Sequence, residues 1–306
     1  MQQVSDKEFR ALITLLDDND TEVYSHVSDK LLSLGLEGIP LLESAWETTE
    51  NQVIQSRLET LIGHIQFSNV KDRLIKWIAK GGEDLLEGAL LVSKFQYPEL
   101  DEFKITQKID TISKNIWIEL NPALTQTEEV HVVNHVFFQL HGFFGQQTPT
   151  LDADLGYINN LLDNKKGNSI SLSILYLILA QRNDLPVYGV NLPYHFIMAY
   201  CRKHLTSGEL EDNNQEKNVH FYINPLSKGI AFSRIEITNY IEQMKLVSHS
   251  KFYSPCSNLE TIKTLIYNQL SCYDQNGNTH KAHQLKELFD LFVHDDDEIN
   301  NGFDEE

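Results

Sequence analysis

The residues of this chain that could do chemistry are three serines, a histidine and an asparagine. Ser169, Ser171 and Ser173 lie at the start of a predicted apolar helix, His195 begins a predicted strand and Asn224 ends the following strand. A nucleophile at a helix N-terminus lies at the positive end of the helix dipole. A histidine on a neighbouring strand can act as its base, and a third polar residue, Asn as well as Asp, orients the imidazole. The pattern is compatible with a hydrolase or acyl transferase.

Each of these residues also has a structural interpretation. Serines at the start of a helix often accept hydrogen bonds from backbone N–H groups and so cap the helix. A strand histidine can be held by hydrogen bonds where two domains meet. Catalysis by Ser169 or Ser171 would need His195 as the base and an oxyanion hole made by the N–H groups at the helix start. Capping is the favoured prediction for the serines.

The three cysteines do not offer an alternative nucleophile. His195 and Cys201 would face the same side of one strand, but roughly 20 Å apart at the usual rise per residue. Cys256 and Cys272 lie in the C-terminal segment, and Cys272 stands among helix residues where a buried role is expected. The absence of any C-x-x-C pair argues against a zinc knuckle or disulfide framework and suits a reducing compartment.

A metal site has little support in the sequence. His131 and His135 stand at i and i+4 on a predicted helix, with His141 just beyond, but no acidic residue is obviously paired with them. His195 has no second histidine within a few residues on its strand. We therefore expect no metal and no cofactor.

The first 120 residues predict paired helices. Val23 with Val53, and Leu32 with Ile62, share an offset of 30 residues, and a third, looser unit begins at Leu74. Repeats of this period resemble HEAT-type units, in which each helix pair needs its neighbours to cover its apolar face. An ordinary helical bundle without true repeats is the alternative. Either way this domain packs or binds and carries no chemistry.

The middle of the chain predicts an α+β core. Helices are expected at 128–140, 157–162 and 172–180, strands at 187–190, 195–200 and 221–224, and a polar hairpin loop at 203–218, with an irregular loop at 145–150. From residue 258 the pattern is helical again. A helix pair around Asn276-Gly277-Asn278 resembles one tetratricopeptide unit, which alone can hardly bury its face and should dock on the core.

Composition narrows the class of protein. With 306 residues and 41% hydrophobic content the chain can bury a sizeable core. The net charge of −19 lacks the clustered Lys and Arg that nucleic acid requires. No stretch approaches a membrane span, and the polar N-terminus carries no apolar signal core, so we expect a cytoplasmic protein. Residues 295–306 hold seven acidic side chains and no basic one, which predicts a disordered tail.

Several short blocks around the candidate residues resemble the transglutaminase-like superfamily. They are YINNLL at 157–162, KGNSISL at 166–172, LP at 185–186, GV at 189–190, LPYHF at 192–196 and FYINP at 221–225. The resemblance covers about 120–295 and is closest to a bacterial branch that lacks the cysteine and joins this core to tetratricopeptide-like C-terminal helices. It implies a papain-like core with a small antiparallel sheet.

The resemblance also implies which positions correspond to the family's catalytic residues. The nucleophilic cysteine maps onto Ser169, or onto Ser171 if the helix start is shifted, the histidine onto His195 and the aspartate onto Asn224. Two of three positions therefore differ from the active enzymes, and Tyr194 stands where the branch commonly has glycine. Membership of this branch implies no activity.

These observations lead to one expectation of architecture and two of function. The domains expected are helical repeats at 1–120, a transglutaminase-like core at 121–252, a helical hairpin at 253–294 and an acidic tail at 295–306. The favoured function is a non-catalytic protein, a pseudoenzyme, that binds a peptide or protein partner through the cleft and helical surfaces. The alternative is a hydrolase or acyl transferase using Ser169 or Ser171, His195 and Asn224. Neither nucleic acid nor membrane is an expected partner.

Overall fold

The computed structural model describes residues 5–146, 151–212 and 215–292. The chain divides into two compact units, Met1–Arg73 and Leu74–Glu306, each of which has its own fold. The predicted acidic tail, and most of the predicted loop at 145–150, lie outside the described residues.

The N-terminal unit consists of helices. They are α1 (Asp6–Leu15), α2 (Thr21–Leu32), α3 (Ile39–Thr48) and the first part of α4 (Gln52–Ala79), with a 3₁₀ turn at Gly35–Gly38. Asp20 starts α2 by accepting hydrogen bonds from the backbone of Glu22 and Val23, as N-cap aspartates do. The apolar faces close on a core of fully buried leucines, among them Leu31 and Leu58.

The repeat predicted for the first 120 residues differs from the structure at one point. The sequence places the start of a third unit at Leu74, but this residue lies inside α4, which is one continuous helix from Gln52 to Ala79. The apolar spacing continues through this stretch without a proline or glycine pair until Gly81-Gly82. HEAT-like repetition stays a prediction.

The C-terminal unit is also mostly helical. Its helices are α5 (Leu85–Gln96), α6 (Glu102–Glu119), α7 (Gln126–Asn134), α8 (Ile158–Asn164), α9 (Ser169–Arg182), α10 (Ser207–Glu211), α11 (Arg234–Gln243), α12 (Asn258–Gln275) and α13 (Thr279–Asp290). A π-helical segment, His135–Leu140, continues α7. Further 3₁₀ turns are found at Ala153–Gly156, Gln215–Asn218, Pro225–Ser227 and Ser250–Phe252.

A small antiparallel sheet completes this unit. Its strands, in sheet order, are β3 (Val187–Leu192), β4 (His195–Cys201), β5 (Val219–Asn224) and β6 (Ile230–Phe232), while β1 (Phe144–Gly145) and β2 (Lys166–Gly167) form a separate parallel pair. The predicted α+β class, mostly helical with a small antiparallel sheet and C-terminal helices, is confirmed. Three strands were expected from the sequence. β6, α11 and the short α10 inside the predicted loop at 203–218 were not.

The four-stranded sheet has a different neighbour on each face. Ile197 and Ala199 of β4 face a core formed with Ile237 and Ile241 of α11. Side chains alternate along a strand, so Met198 and Tyr200 point to the opposite face. That face is covered by α9, which contacts β3 and β4.

Helix α9 is the centre of the C-terminal unit. Every residue from Ile170 to Ala180 is buried, because the helix has neighbours on all sides and its sequence is apolar all round. The C-terminal hairpin docks on this core through α12. Asn268 of α12 accepts a hydrogen bond from Asn168 at 3.0 Å, and the Tyr273 hydroxyl lies 3.1 Å from that of Tyr157.

Candidate functional site

The start of α9 is fixed by a reciprocal capping arrangement. The Asn168 side chain accepts a hydrogen bond from the backbone N–H of Ser171 at 3.0 Å, and the Ser171 hydroxyl oxygen accepts one from the backbone of Asn168 at 3.1 Å. The same hydroxyl donates to the carbonyl of Leu155 at 2.6 Å. Ser171 is 2% exposed. Its oxygen therefore holds the helix start and is closed to substrate.

Ser169, the first residue of α9, has a different environment. Its side chain is half-buried, and its hydroxyl oxygen accepts a long hydrogen bond, 3.5 Å, from the backbone N–H of Phe196. The helix start and the beginning of β4 thus meet here, and we call this junction of Asn168, Ser169, Tyr194, His195 and Phe196 the α9–β4 site. Ser173 is fully buried one turn further on.

His195 opens β4 and pairs with Leu192 across a tight hairpin. Its imidazole lies against the ring of Tyr240 on α11, with the ring centroids 5.6 Å apart. The Tyr240 hydroxyl donates to the carbonyl of Pro193 at 2.8 Å and so fixes the aromatic ring beneath the hairpin. Although the side chain is exposed, the surrounding protein atoms remove enough water to lower the pKa of His195. The lowered pKa favours the neutral imidazole.

Asn224 ends β5 and turns its side chain to the following turn. Its amide oxygen accepts hydrogen bonds from the backbone of Leu226 at 3.0 Å and of Ser227 at 3.3 Å. This interaction caps the 3₁₀ turn Pro225–Ser227. Within the described part of the chain, no hydrogen bond joins Asn224 to His195.

The structure therefore brings only part of the predicted constellation together. Ser169 and the backbone next to His195 are in contact, but the imidazole lies on the α11 side of the sheet. No Ser169–His195 hydrogen bond is found between the described side chains. General-base catalysis needs a contact of about 2.6–3.2 Å, so His195 is not hydrogen-bonded to Ser169 as a general base in this arrangement.

The three cysteines are structural in the positions observed. Cys201 and Cys272 are buried, and Cys256 packs between Gly189 and the Thr261 hydroxyl. Burial raises the pKa of Cys201 to about 12 and that of Cys256 to about 12. Burial also raises the pKa of Cys272. A thiolate at neutral pH is therefore disfavoured at all three positions.

Two of the three histidines considered for a metal, His135 and His141, have other contacts. His135 pairs with Gln139 at 3.1 Å and His141 with Asn115 at 3.0 Å. Burial, and then the charge of Lys165, lowers the pKa of His141. Over the residues that the structure describes, no group of three or more His, Cys, Asp or Glu side chains is placed to hold a metal ion.

Sequence reasoning missed Asn168 in the α9–β4 site, and Tyr240, which packs against His195. Tyr240 lies on α11, a helix that was not predicted, so its contact with His195 had no signal. Asn168 did have a sequence signal, because Asn168 and Ser171 form an Asn-x-x-Ser pattern at a predicted helix start. Tyr194, 78% exposed at the hairpin tip, adopts a left-handed backbone with φ of 63°. Glycine or asparagine is usual in that conformation.

The chain belongs to the transglutaminase-like superfamily. The family model described as "Transglutaminase-like superfamily" matches residues 103–266, which is more than half of the 306 residues. The match includes α6 to α9, the whole four-stranded sheet and the first half of α12.

Curated relatives match smaller parts of the chain. A UPF0162 protein of Xylella fastidiosa is 27% identical over 114 residues, 37% of this chain and 41% of that protein. A UPF0162 protein of Vibrio cholerae is 25% identical over 116 residues, 38% and 43% of the two chains. Mouse F-box only protein 21 is 23% identical over 233 residues, 69% of this chain and 36% of that protein.

The matched region is therefore about two fifths of each UPF0162 protein and about one third of F-box only protein 21. No solved structure matches the chain. Among the described residues, no helix is both long and apolar enough to cross a membrane.

Proposed function

We propose that this chain is a non-catalytic transglutaminase-like protein that binds a peptide or protein partner. Its binding surfaces are the α9–β4 site, where the family's catalytic residues would lie, and the faces of the flanking helices. In this proposal Ser169, Ser171, His195 and Asn224 occupy the family-equivalent catalytic positions without forming a catalytic unit.

The observation that carries the proposal is the set of partners of the serine and histidine side chains. Ser171 is closed into the capping arrangement, Ser169 accepts from the backbone of Phe196, and the imidazole of His195 lies on Tyr240. Each group therefore has a contact within the protein's own fold. A nucleophile and base in use would instead be held within hydrogen-bond reach of each other.

The exposed hairpin tip supports a binding role. A tyrosine in the left-handed region costs free energy that a glycine would not, of order 1 kcal/mol. Tyr194 keeps this conformation and leaves most of its ring in solvent. Exposed tyrosines are typical anchors of protein interfaces, because they offer a large rigid surface and a polar end. The matches to F-box only protein 21 point the same way.

Fluorophosphonate labelling tests the catalytic alternative. The reagent is added to the wild-type protein and to Ser169→Ala, Ser171→Ala and His195→Ala variants, and labelled peptides are identified by mass spectrometry. We expect no labelling that depends on these residues. Labelling of Ser169 that vanishes in His195→Ala would establish a serine hydrolase and overturn the non-catalytic proposal. Ser169 is half-exposed and lies at the N-terminus of α9, and this position favours the catalytic alternative.

Peptide selection tests the binding function. A random dodecapeptide library displayed on phage is selected against the protein, and the Kd of a selected peptide is then measured by calorimetry. We expect Tyr194→Ala to weaken binding at least tenfold. Tyr267→Ala, which removes a tyrosine of 52% exposure from α12, is the matched control and should not. Selected peptides that bind equally to both variants would contradict a role for the α9–β4 site.

A further inference from the structure

A groove is formed within the N-terminal unit by residues other than those of the α9–β4 site. Six residues line it, Glu43 and Trp46 on α3 and Glu59, Ile62, Gly63 and Gln66 on α4, and we call it the Trp46 groove. Its volume is about 220 Å³. Sites for whole small molecules are usually larger, roughly 300–1,000 Å³. The space therefore suits one side chain of a partner.

The floor and rim of the groove have different chemistry. Ile62 and the indole of Trp46 provide apolar surface, and Trp46 is 37% exposed. Its indole N–H donates to a carboxylate oxygen of Glu59 at 2.9 Å, so the ring is held in a fixed orientation. Glu43 and Glu59 add carboxylates to the rim. An aromatic face with carboxylates beside it is the arrangement that binds a cation on a planar, weakly hydrated group.

Charges around the groove have one predominant sign. Residues 33–66 contain five glutamates and one basic side chain other than His64, namely Arg57. Arg57 is already engaged, because it donates to the carbonyls of Leu16 and Asp18 and lies over the ring of Tyr24 at 4.3 Å. Within residues 33–66 no other Lys or Arg is present beside Glu43, and the predominantly acidic segment is complementary to a basic partner.

Gly63 provides an independent observation. It lies in the interior of α4, where glycine destabilises a helix by roughly 0.5–1 kcal/mol relative to alanine. The fold does not require it, since a Cβ at this position would meet nothing within 4 Å and the backbone is not left-handed. Gly35, Gly81, Gly142 and Gly277 have equally open surroundings, but positive φ accounts for each of them. Gly208, also open, lies in the first turn of the short helix α10 and not in a helix interior. At Gly63 the missing side chain leaves the Trp46 groove open.

We propose that the Trp46 groove binds an arginine side chain of a partner polypeptide, with the guanidinium stacked on Trp46 and paired with Glu43 and Glu59. This deepens the proposed function and rests on it for the class of partner, a polypeptide. The surface, however, is not the α9–β4 site, so the two can be tested separately.

The experiment uses the full chain and a fluorescein-labelled dodecapeptide of alternating alanine and arginine, followed by anisotropy at low ionic strength. The same peptide with citrulline in place of arginine keeps the shape and removes the charge. We expect the citrulline peptide, and the Glu43→Gln/Glu59→Gln double variant, to bind about tenfold more weakly, given the usual strength of exposed ion pairs and cation–π contacts. Gly63→Leu, which fills the groove, should weaken binding as much.

Two controls decide the outcome. Glu22→Gln/Asp29→Asn changes the net charge equally but lies on α2, outside the groove, and should keep the wild-type Kd. Equal loss in this control, or equal binding of the citrulline peptide, would overturn the proposal. Gly63→Ala, with a smaller side chain, checks that the α4 substitutions leave the helix folded.

The α9–β4 variant His195→Ala should also bind the arginine peptide normally. Loss of arginine binding in His195→Ala would assign this binding to the α9–β4 site and overturn the groove proposal. Failure of the phage-selected peptides to depend on Tyr194, with arginine binding intact, would instead count against the proposed function alone.

Discussion

The two faces of the four-stranded sheet pack strand β4 against different helices. On the α9 face, Met198 is fully buried, and the Tyr200 hydroxyl donates to Glu129 of α7. On the α11 face, Ile197 and Ala199 pack on Ile237 and Ile241, and the strand begins with the exposed His195 over Tyr240. One strand thus contributes to two cores, and the candidate base lies against α11, while the serines lie on α9.

This difference explains why Ser169 and His195 come from adjoining elements yet form no hydrogen bond in the part of the chain that the structure describes. A serine–histidine pair needs both side chains on one side of β4. Ser169 contacts the strand through the backbone N–H of Phe196, which belongs to neither face of the sheet. The imidazole of His195 lies instead against Tyr240 of α11. Asn168 and Ser171 hold the start of α9, and Asn224 caps the turn Pro225–Ser227.

The largest expected effect comes from truncating β4 on either face. Ile197→Ala and Met198→Ala each remove a buried side chain, one from the α11 core and one from the α9 core, and each should lower the free energy of unfolding by about 2–4 kcal/mol. Urea denaturation followed by circular dichroism measures the loss. His195→Ala, at the exposed start of the same strand, is the control and should cost less than about 1 kcal/mol. A much smaller loss of unfolding free energy for Met198→Ala would mean that the α9 face is loosely packed.

A smaller effect separates the two polar residues at the start of α9. Asn168→Ala removes the N-cap and the hydrogen bond to Asn268, and should cost about 1–2 kcal/mol. Ser169→Ala loses only the 3.5 Å contact with Phe196 and should change stability by less than about 0.5 kcal/mol. The same urea titration compares them. A Ser169→Ala cost equal to that of Asn168→Ala would show that Ser169 is a structural cap after all.

Ser233→Ala is the reference for this pair, because Ser233 caps α11 on the other face of the sheet. We expect it to cost about 1 kcal/mol. The N-cap residues Asn168 and Ser233, one on each face of the sheet, should then contribute similar amounts to the free energy of unfolding. Ser169 should contribute clearly less than either.

The sequence was sufficient to predict the strongly patterned elements. The apolar run at 172–180 and the β-branched and aromatic runs at 187–190, 195–200 and 221–224 have enough residues for their period to be read, and all four lie within observed elements. β6 was missed because three residues carry no periodicity. Helix α11 was missed because its sequence is largely polar, and its buried Ile237 and Ile241 are a single pair at i and i+4.

The site was harder to predict than the fold, for a physical reason. Sequence spacing placed Ser169 and His195 at the start of a helix and of a strand, and both positions are as expected. Whether a side chain at the first position of a strand points to one face or the other depends on hairpin register. Here the two-residue turn Pro193-Tyr194 pairs His195 with Leu192, whose side chain packs in the α11 core. That register could not be predicted from the sequence without knowing that α11 packs on this face of the sheet.

The smallest expected effect is the pH dependence that His195 contributes. Partial desolvation by the surrounding protein lowers the pKa of His195, whose ring lies against Tyr240, so the folded state favours the neutral form. The stabilisation is present above the unfolded-state pKa of about 6.5 and is lost as the pH falls through the lower folded-state value. His195→Gln cannot titrate, so its stability should fall less than that of the wild type below pH 6.5, measured as the urea midpoint across the acid range.

Two further variants test whether this pH dependence arises on the α11 face of the sheet. Tyr240→Ala uncovers the imidazole, and proton NMR titration should then place the pKa of His195 closer to its ordinary value. His141→Gln removes a second histidine whose pKa burial lowers, but one that lies against Asn115 away from the sheet, and should leave the titration of His195 unchanged. A wild-type pKa of His195 above the ordinary value would require a nearby anion. The histidine would then have a partner other than Tyr240, and the contrast between the two faces of the sheet would not hold.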